Sequence, residues 1–418
     1  MEKPNYYKLT NSQQNIFEVE QTLLTANNAC NVLLVSVKFN MELDYLKLEK
    51  TLNKIIEIND SFRLRLIKRN NTIKQYVSEY KYKKIDLVNI DTEKEFEQYI
   101  EYLKETAIID IYSDLFEFKI VKYNKQTYIM YKVHHIINDA WGMTQVAEQI
   151  KQIYPIIEND NLLNKLEKPT YINVIERDEK YNNSDKYKID QQFWKEYVKK
   201  LSVEKIFNKD ISDNRATRYS TTLDKTTYDD VKKYCEDNSI SEYTFFLAII
   251  TIYFYKIYNV ENLNIGTPFL NRSKKEFDNI GLFVSNLPLN VQLRQEDIFI
   301  NICEEIYSTN FKIFRHSKFP YTEIQKIYSD INSVSNMFEI GFSYQINTLK
   351  NEMENDLGET NWYFTNQQNN PITIHLSQMN GKLDICYDYI TSIFKEKEVR
   401  EIHNIILHII IKCLNKEK

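Results

Sequence analysis

The run Thr127-Tyr128-Ile129-Met130-Tyr131-Lys132-Val133-His134-His135-Ile136-Ile137-Asn138-Asp139-Ala140-Trp141-Gly142 decides how the chain is read. It opens as a β-rich stretch, ends in two adjacent histidines, and leads through a short polar loop into Gln145 to Ile153, whose apolar spacing is helical. Neighbouring side chains on a strand face opposite sides, so only one of His134 and His135 faces a given cleft. Asp139, four residues after His135 and just before the helix, is placed to cap that helix or to brace the loop with its charge. A neutral imidazole accepts a proton from an amine or hydroxyl near neutral pH, which is what acyl transfer to such a nucleophile requires. His135 is therefore the candidate base, and His134 the candidate loop anchor. The helix start near Trp141 and Gly142 offers backbone N–H groups where an oxyanion can develop. On this run alone, two purely structural histidines remain an equal reading.

Outward from the run, Leu115 to Tyr123 and Thr127 to His134 form a hairpin pattern around the break Asn124-Lys125-Gln126. Upstream, Ser12 caps a helix running through Phe17 and Leu23, Val32 to Phe39 reads as a strand, and Leu43 to Ile58 as a helix. Phe62 to Ile67 is a strand, and Lys94 to Lys104 a further helix. Pro155 to Pro169 is acidic and polar and reads as a linker, which sets the expected domains at 1–165 and 166–418. Beyond it, helices (Tyr171 to Tyr181, Gln191 to Leu201, Tyr228 to Cys235, Tyr243 to Tyr258, Ile298 to Phe314, Lys395 to Leu414) alternate with strands. The strands are Thr217 to Leu223, Leu263 to Thr267, Leu282 to Leu293, Phe338 to Ile346, Ile372 to Leu376 and Leu383 to Tyr387. Both halves are mixed α/β.

With 418 residues, 43% of them hydrophobic and only 6 Gly and 7 Pro, the chain has an ordered, element-rich composition with a sizeable core. A formal charge of -5 gives no electrostatic support to a nucleic-acid partner. Cys30, Cys235, Cys303, Cys386 and Cys413 are odd in number and lack metal spacing, so a reduced compartment and no metal are expected. No apolar run reaches the roughly 18 residues of a membrane span, and a cytoplasmic monomer is the expectation.

Several segments in order resemble the condensation domains of nonribosomal peptide synthetases, in the superfamily of chloramphenicol acetyltransferase. Leu9-Thr10-Asn11-Ser12-Gln13-Gln14 is similar to the family's first motif, Asn59 to Leu66 to its second, and His134 to Gly142 to its active-site motif. Ile265-Gly266-Thr267-Pro268 with Asn271-Arg272, Ile280 to Asn286, Phe319-Pro320-Tyr321 and Phe342-Ser343-Tyr344-Gln345 resemble later segments. The chain departs from the pattern at Ala140, where the family has glycine, at Asn59, near a missing histidine, and at His316-Ser317-Lys318.

The resemblance implies two chloramphenicol acetyltransferase-like lobes forming a V-shaped pseudo-dimer, with the active site in a tunnel between them. It implies that His135 is the base or positioning group, that Asp139 pairs with Arg63 beneath the site, with Arg65 as rival, and that His134 and Gly142 support the loop. Trp141 lines the channel or staples its helix, and Ser285, Asn286 and Ser343 line the tunnel. Donor and acceptor thioesters arrive on phosphopantetheine arms of acyl or peptidyl carrier proteins, and no bound cofactor is needed. The implied product is an amide or ester; rival readings are an acyl-coenzyme A-dependent acyltransferase, an epimerase-like domain and a non-catalytic recruitment module.

Overall fold

The structure, a computed structural model, describes residues 5–21, 29–166, 168–207, 213–346, 357–379 and 381–415. It divides the chain into two compact units. The first comprises Met1–Ser184, Asn271–Val284 and Leu349–Asn366; the second comprises Asp185–Leu270, Ser285–Thr348 and Gln367–Lys418. The division falls later than the expected 165/166 boundary because Tyr171, Val174 and Ile175, beyond the polar stretch, are buried in the first unit's core.

The first unit contains α1 (Asn11–Gln21), β1 (Val32–Phe39), α2 (Tyr45–Ile58), β2 (Leu64–Arg69), β3 (Thr72–Val77), β4 (Asp86–Ile90) and α3 (Glu93–Glu105). It continues with β5 (Phe116–Tyr123), β6 (Gln126–His134), α4 (Ala140–Ile153), α5 (Asp160–Leu163) and α6 (Ile172–Asn182), and takes in β11 (Leu357–Tyr363) from far along the chain. Leu23, expected in the first helix, lies outside the described residues. The main sheet runs β11-β1-β6-β5-β4, and β2 and β3 form a separate hairpin. Side chains alternate between the two faces of the sheet, and both faces are covered. Val35, Val37, Ile129, Tyr131 and Val133 pack with α2 and α4, while Leu34, Tyr128 and Met130 pack with Ile100 and Leu103 of α3. The β5–β6 hairpin turns where the sequence breaks, with Asn124 and Lys125 both left-handed (φ 51 and 58). That is the geometry a two-residue turn needs to match strand twist. The β1–β6 register pairs Val32 with His134 and so fixes the strand end at the first histidine.

The second unit contains α7 (Asp185–Tyr197), β7 (Ala216–Leu223), α8 (Lys225–Asn238), α9 (Glu242–Tyr258), β8 (Asn262–Phe269), β9 (Ser285–Gln292) and α10 (Phe299–Arg315). The remaining elements are α11 (Tyr321–Asn332), β10 (Ile340–Ile346), β12 (Ile372–Met379), β13 (Lys382–Ile390) and α12 (Glu396–Leu414). Its sheet order is β7-β13-β12-β10-β8-β9, with β10 parallel to β12 and β8. Helix α9 is apolar nearly all round and is buried from Thr244 to Thr251, and α12 lays Val399, Ile402, Ile406 and Ile410 into the same core. Among the described residues no single helix is long and apolar enough to cross a membrane.

Candidate active site

Strand β6 ends at His134, and the next three residues, His135 to Ile137, form one 3-10 turn before Asp139 caps α4. The histidines are therefore separated by a change of secondary structure, and strand alternation does not set their directions. His134 is fully buried, and its Nδ1 accepts the Ile136 N–H at 3.1 Å. That leaves Nε2 to carry the proton. It donates to Glu20 Oε2 at 2.7 Å. Both ring nitrogens are consumed by these bonds, so His134 is an anchor.

His135 differs. Its ring is half-buried, and its Nδ1 is buried with no hydrogen-bond partner among the described residues. Burial pushes the imidazole below its ordinary value, and the polar backbone of its own loop and then the nearby Asp139 charge oppose this only in part. The result is a ring kept neutral at physiological pH, able to take a proton. Such a perturbed, unpartnered group on a fixed loop is a candidate base.

Asp139 is 1% exposed and its carboxylate is fully engaged. Oδ1 accepts the Gly142 N–H at 2.9 Å and Arg272 Nη2 at 2.8 Å, and Oδ2 accepts the Phe283 and Val284 N–H groups at 2.9 and 3.3 Å. The Arg272 side chain is itself fully buried, donates to the carbonyls of Glu276, Asn279 and Gly281, and lies over the Phe283 ring at 3.8 Å. Arg63 is not the partner of Asp139. It closes a 3-10 turn (Asp60–Arg63) and donates to the Ser78 carbonyl, while Arg65 binds the carbonyls of Phe62 and Leu64 and pairs with Asp114. Asn271, left-handed at φ 51, turns the chain out of β8 into the arm that carries Arg272. Asparagine is one of the few residues that visits this region readily. The same arm explains why no strand begins at Leu282: the Phe283 and Val284 amides serve Asp139, and β9 starts only at Ser285.

A side chain at Gly142 would displace Asn138, because a Cβ would sit 2.0 Å from Asn138 Oδ1. Its N–H belongs to Asp139, so it is not an oxyanion donor. Ala140 occupies the first helical position, where alanine is favourable and positive φ is not needed. Trp141 is a staple: its Nε1 donates to the Phe277 carbonyl at 2.8 Å and its ring packs on Phe277. Of the first motif, Gln13 donates to the Ile136 carbonyl at 3.1 Å and Ser12 to the Phe283 carbonyl at 3.1 Å, so α1 holds both the loop and the arm.

Ser285, Asn286 and Ser343 belong to the second unit. Ser285 is buried at the start of β9, Asn286 is exposed, and Ser343 lies in β10 with its hydroxyl 2.7 Å from His375 Nδ1. Two other histidines are packed: His316 sits on Asp190 and stacks on Phe193, and His403 contacts the Tyr387 hydroxyl. Sequence reading misses the roles of Arg272 and Glu20. Arg272 lies inside a quoted segment, but nothing in its spacing ties it to residue 139, and Glu20 has no signal beyond its place in an amphipathic helix.

The family model for the condensation domain matches residues 3–417. A plipastatin synthase subunit of Bacillus subtilis (strain 168) is 26% identical over 98% of the chain, which spans 16% of that protein. Surfactin synthase subunit 1 of the same organism is 25% identical over 95% of the chain, and here the chain spans 11% of the relative. The starter condensation domain of rhizomide synthetase, solved with C8-CoA, superposes with a TM-score of 0.83 at 14% identity, covering 97% of this chain and 94% of its own. The first condensation domain of the calcium-dependent antibiotic synthetase gives 0.82 at 13% identity, covering 98% and 96%. The likeness to these solved structures shows the same mixed α/β fold.

Proposed function

Because the chain belongs to the condensation-domain family, we propose that it is an acyltransferase that moves an acyl or peptidyl group from a carrier-protein thioester to an amine or hydroxyl acceptor in nonribosomal peptide synthesis. The observation that carries this reading is His135, a half-buried imidazole held neutral on a loop fixed by the buried Asp139–Arg272 pair. In the proposed step the acceptor nitrogen attacks the thioester carbonyl and gives its proton to His135. The tetrahedral intermediate then collapses, the carbon–sulfur bond breaks, and the thiolate leaves and takes the proton back. Asp139, Arg272, His134 and Glu20 act through the loop as positioning residues. Both thioesters come on phosphopantetheine arms of donor and acceptor carriers, and the enzyme works as a cytoplasmic monomer.

A coenzyme A thioester is the second reading, favoured by the C8-CoA held by the rhizomide starter domain. Intact mass spectrometry of acylated donor and aminoacylated acceptor carriers, with and without the enzyme, tests the proposal. A mass gain on the acceptor that disappears with His135→Ala is expected. Turnover with acyl-coenzyme A alone overturns the carrier version, and binding of carriers without any turnover overturns catalysis.

A further inference from the structure

On one face of the second unit's sheet, four neighbouring strands place a continuous polar chain. Register sets Ser343 of β10 beside His375 of β12, Thr373 of β12 beside Asp388 of β13, and Asp388 beside Arg218 of β7. Ser343 Oγ is 2.7 Å from His375 Nδ1, and His375 Nε2 is 3.2 Å from Asp388 Oδ2. Arg218 grips Asp388 with two bonds of 2.6 and 2.8 Å. Burial pushes the Asp388 carboxyl up, but the bonds from Arg218 and then from His375 outweigh it and hold it below the usual carboxylate range.

With Asp388 ionised and able only to accept, the neutral form of His375 carries its ring proton on Nε2 and keeps a lone pair on Nδ1. Ser343 must then point its hydroxyl proton at Nδ1. Ser343 is 8% exposed, and its oxygen lone pairs are left to accept, so a group that meets it has to bring a donor.

The sheet opens beside this serine. Strand β10 pairs with β12 along its whole length but with β8 only at Ile340↔Ile265 and Gly341↔Gly266. At that vertex both residues of the second pair are glycine because Phe338 covers one and Thr373 the other: an added Cβ would meet them at 2.2 and 2.7 Å. Beyond it, Tyr243 of α9 stands between the strands, its hydroxyl 2.9 Å from Thr267 Oγ1 and its ring against Phe342. Past that vertex β10 has no ladder partner on its β8 side, and Ser343 lies on the face opposite Tyr243, beside a histidine side chain that is 31% exposed.

We propose that Ser343, oriented by His375, Asp388 and Arg218, is a binding group for an N–H of a substrate lying along the opened edge of β10. This deepens the proposed acyl transfer and rests on that reading. Two sources bring such a donor: an amide of the pantetheine arm, or the amine of the acceptor. His375 is a positioning residue, since it acts through Ser343.

Affinity is measured by isothermal titration for pantetheine, which has amide N–H groups and no amine, for its N-methylated form, and for leucine methyl ester, which has only the amine. Ser343→Ala and His375→Ala are expected to weaken one of the two donor probes about five- to tenfold, the scale of one hydrogen bond. His375→Asn, whose Oδ1 can accept the serine proton, should restore most of the loss, and it also answers whether an alanine variant has merely unfolded. Loss with pantetheine alone, absent with its methylated form, assigns the site to the arm, and loss with the ester assigns it to the amine. Unchanged affinity for both donors in Ser343→Ala, or an equal loss for the methylated probe, overturns the inference. If the binding pattern holds and no acyl transfer occurs, the transfer reading alone fails. If transfer proceeds with KM untouched in Ser343→Ala, the inference alone fails.

Discussion

Replacing Arg272 with methionine is the sharpest probe of the site's architecture. The substitution keeps volume but removes the cation from a carboxylate that is 1% exposed, and leaves the carbonyls of Glu276, Asn279 and Gly281 without their donor. Breaking a buried pair by removing one partner costs about 3–5 kcal/mol, a large part of the roughly 5–15 kcal/mol that holds a domain folded. At roughly 2–4 °C per kcal/mol for a unit of this size, the first transition should fall by roughly 6–20 °C. Arg63→Ala, by contrast, deletes one bond to the Ser78 carbonyl and should cost about 1 kcal/mol. Urea unfolding followed by far-ultraviolet dichroism and by tryptophan fluorescence distinguishes the two, because the units need not melt together. Asp139→Asn combined with Arg272→Met should be less destabilised than the sum of the single variants, since the pair is lost once. Equal destabilisation by Arg63→Ala and Arg272→Met, or strict additivity in the double variant, would refute the assignment.

Four further outcomes follow from the same geometry. His135→Ala should abolish acyl transfer while leaving the unfolding free energy within about 1 kcal/mol of wild type, read by carrier mass spectrometry beside urea denaturation. Because burial lowers the His135 value, its neutral ring supports the fold fully above the unfolded value of about 6.5, and that contribution is lost as pH falls through the lower folded value; His135→Asn should flatten the stability profile below about pH 6.5. Gly142→Ala should destabilise by about 1–3 kcal/mol through the clash with Asn138 Oδ1, and adding Asn138→Ala should return part of it in thermal melts. Ala140→Gly, which restores the family residue, should cost about 0.5–1 kcal/mol because the position is helical, and a gain in stability would count against that backbone assignment.

Much of the fold is readable from local pattern. The hairpin, the long apolar helices and the order of elements follow from periodicity and from turn residues such as Asn124, because those signals act within one element. The histidine pair and Asp139 are visible as a motif, and their separate roles are half visible. What sequence does not supply is pairing over distance. Arg63 lies 76 positions before Asp139 and Arg272 lies 133 after it, and no local rule prefers one to the other. Glu20 is equally silent, since a glutamate on a helix is usually a solvated face. The strands β3, β4 and β11 escape because their residues carry many polar side chains, and tertiary pairing overrides weak propensity.

The arm from Asn271 to Val284 and the strand Leu357–Tyr363 also bear on how the polypeptide is made. As the chain leaves the ribosome, Asp139 waits for its counter-charge until residue 272 has emerged, and β1 presents one bare edge until residue 363 follows. Domains commonly fold as units, N-terminal first, but here the earlier-made unit cannot finish before most of the later one exists. An unpaired edge and an uncompensated carboxylate are both liabilities during that interval. A fragment cut after residue 184 therefore lacks both Arg272 and the strand that covers the β1 edge, and inherits an incomplete site whatever its own sequence quality.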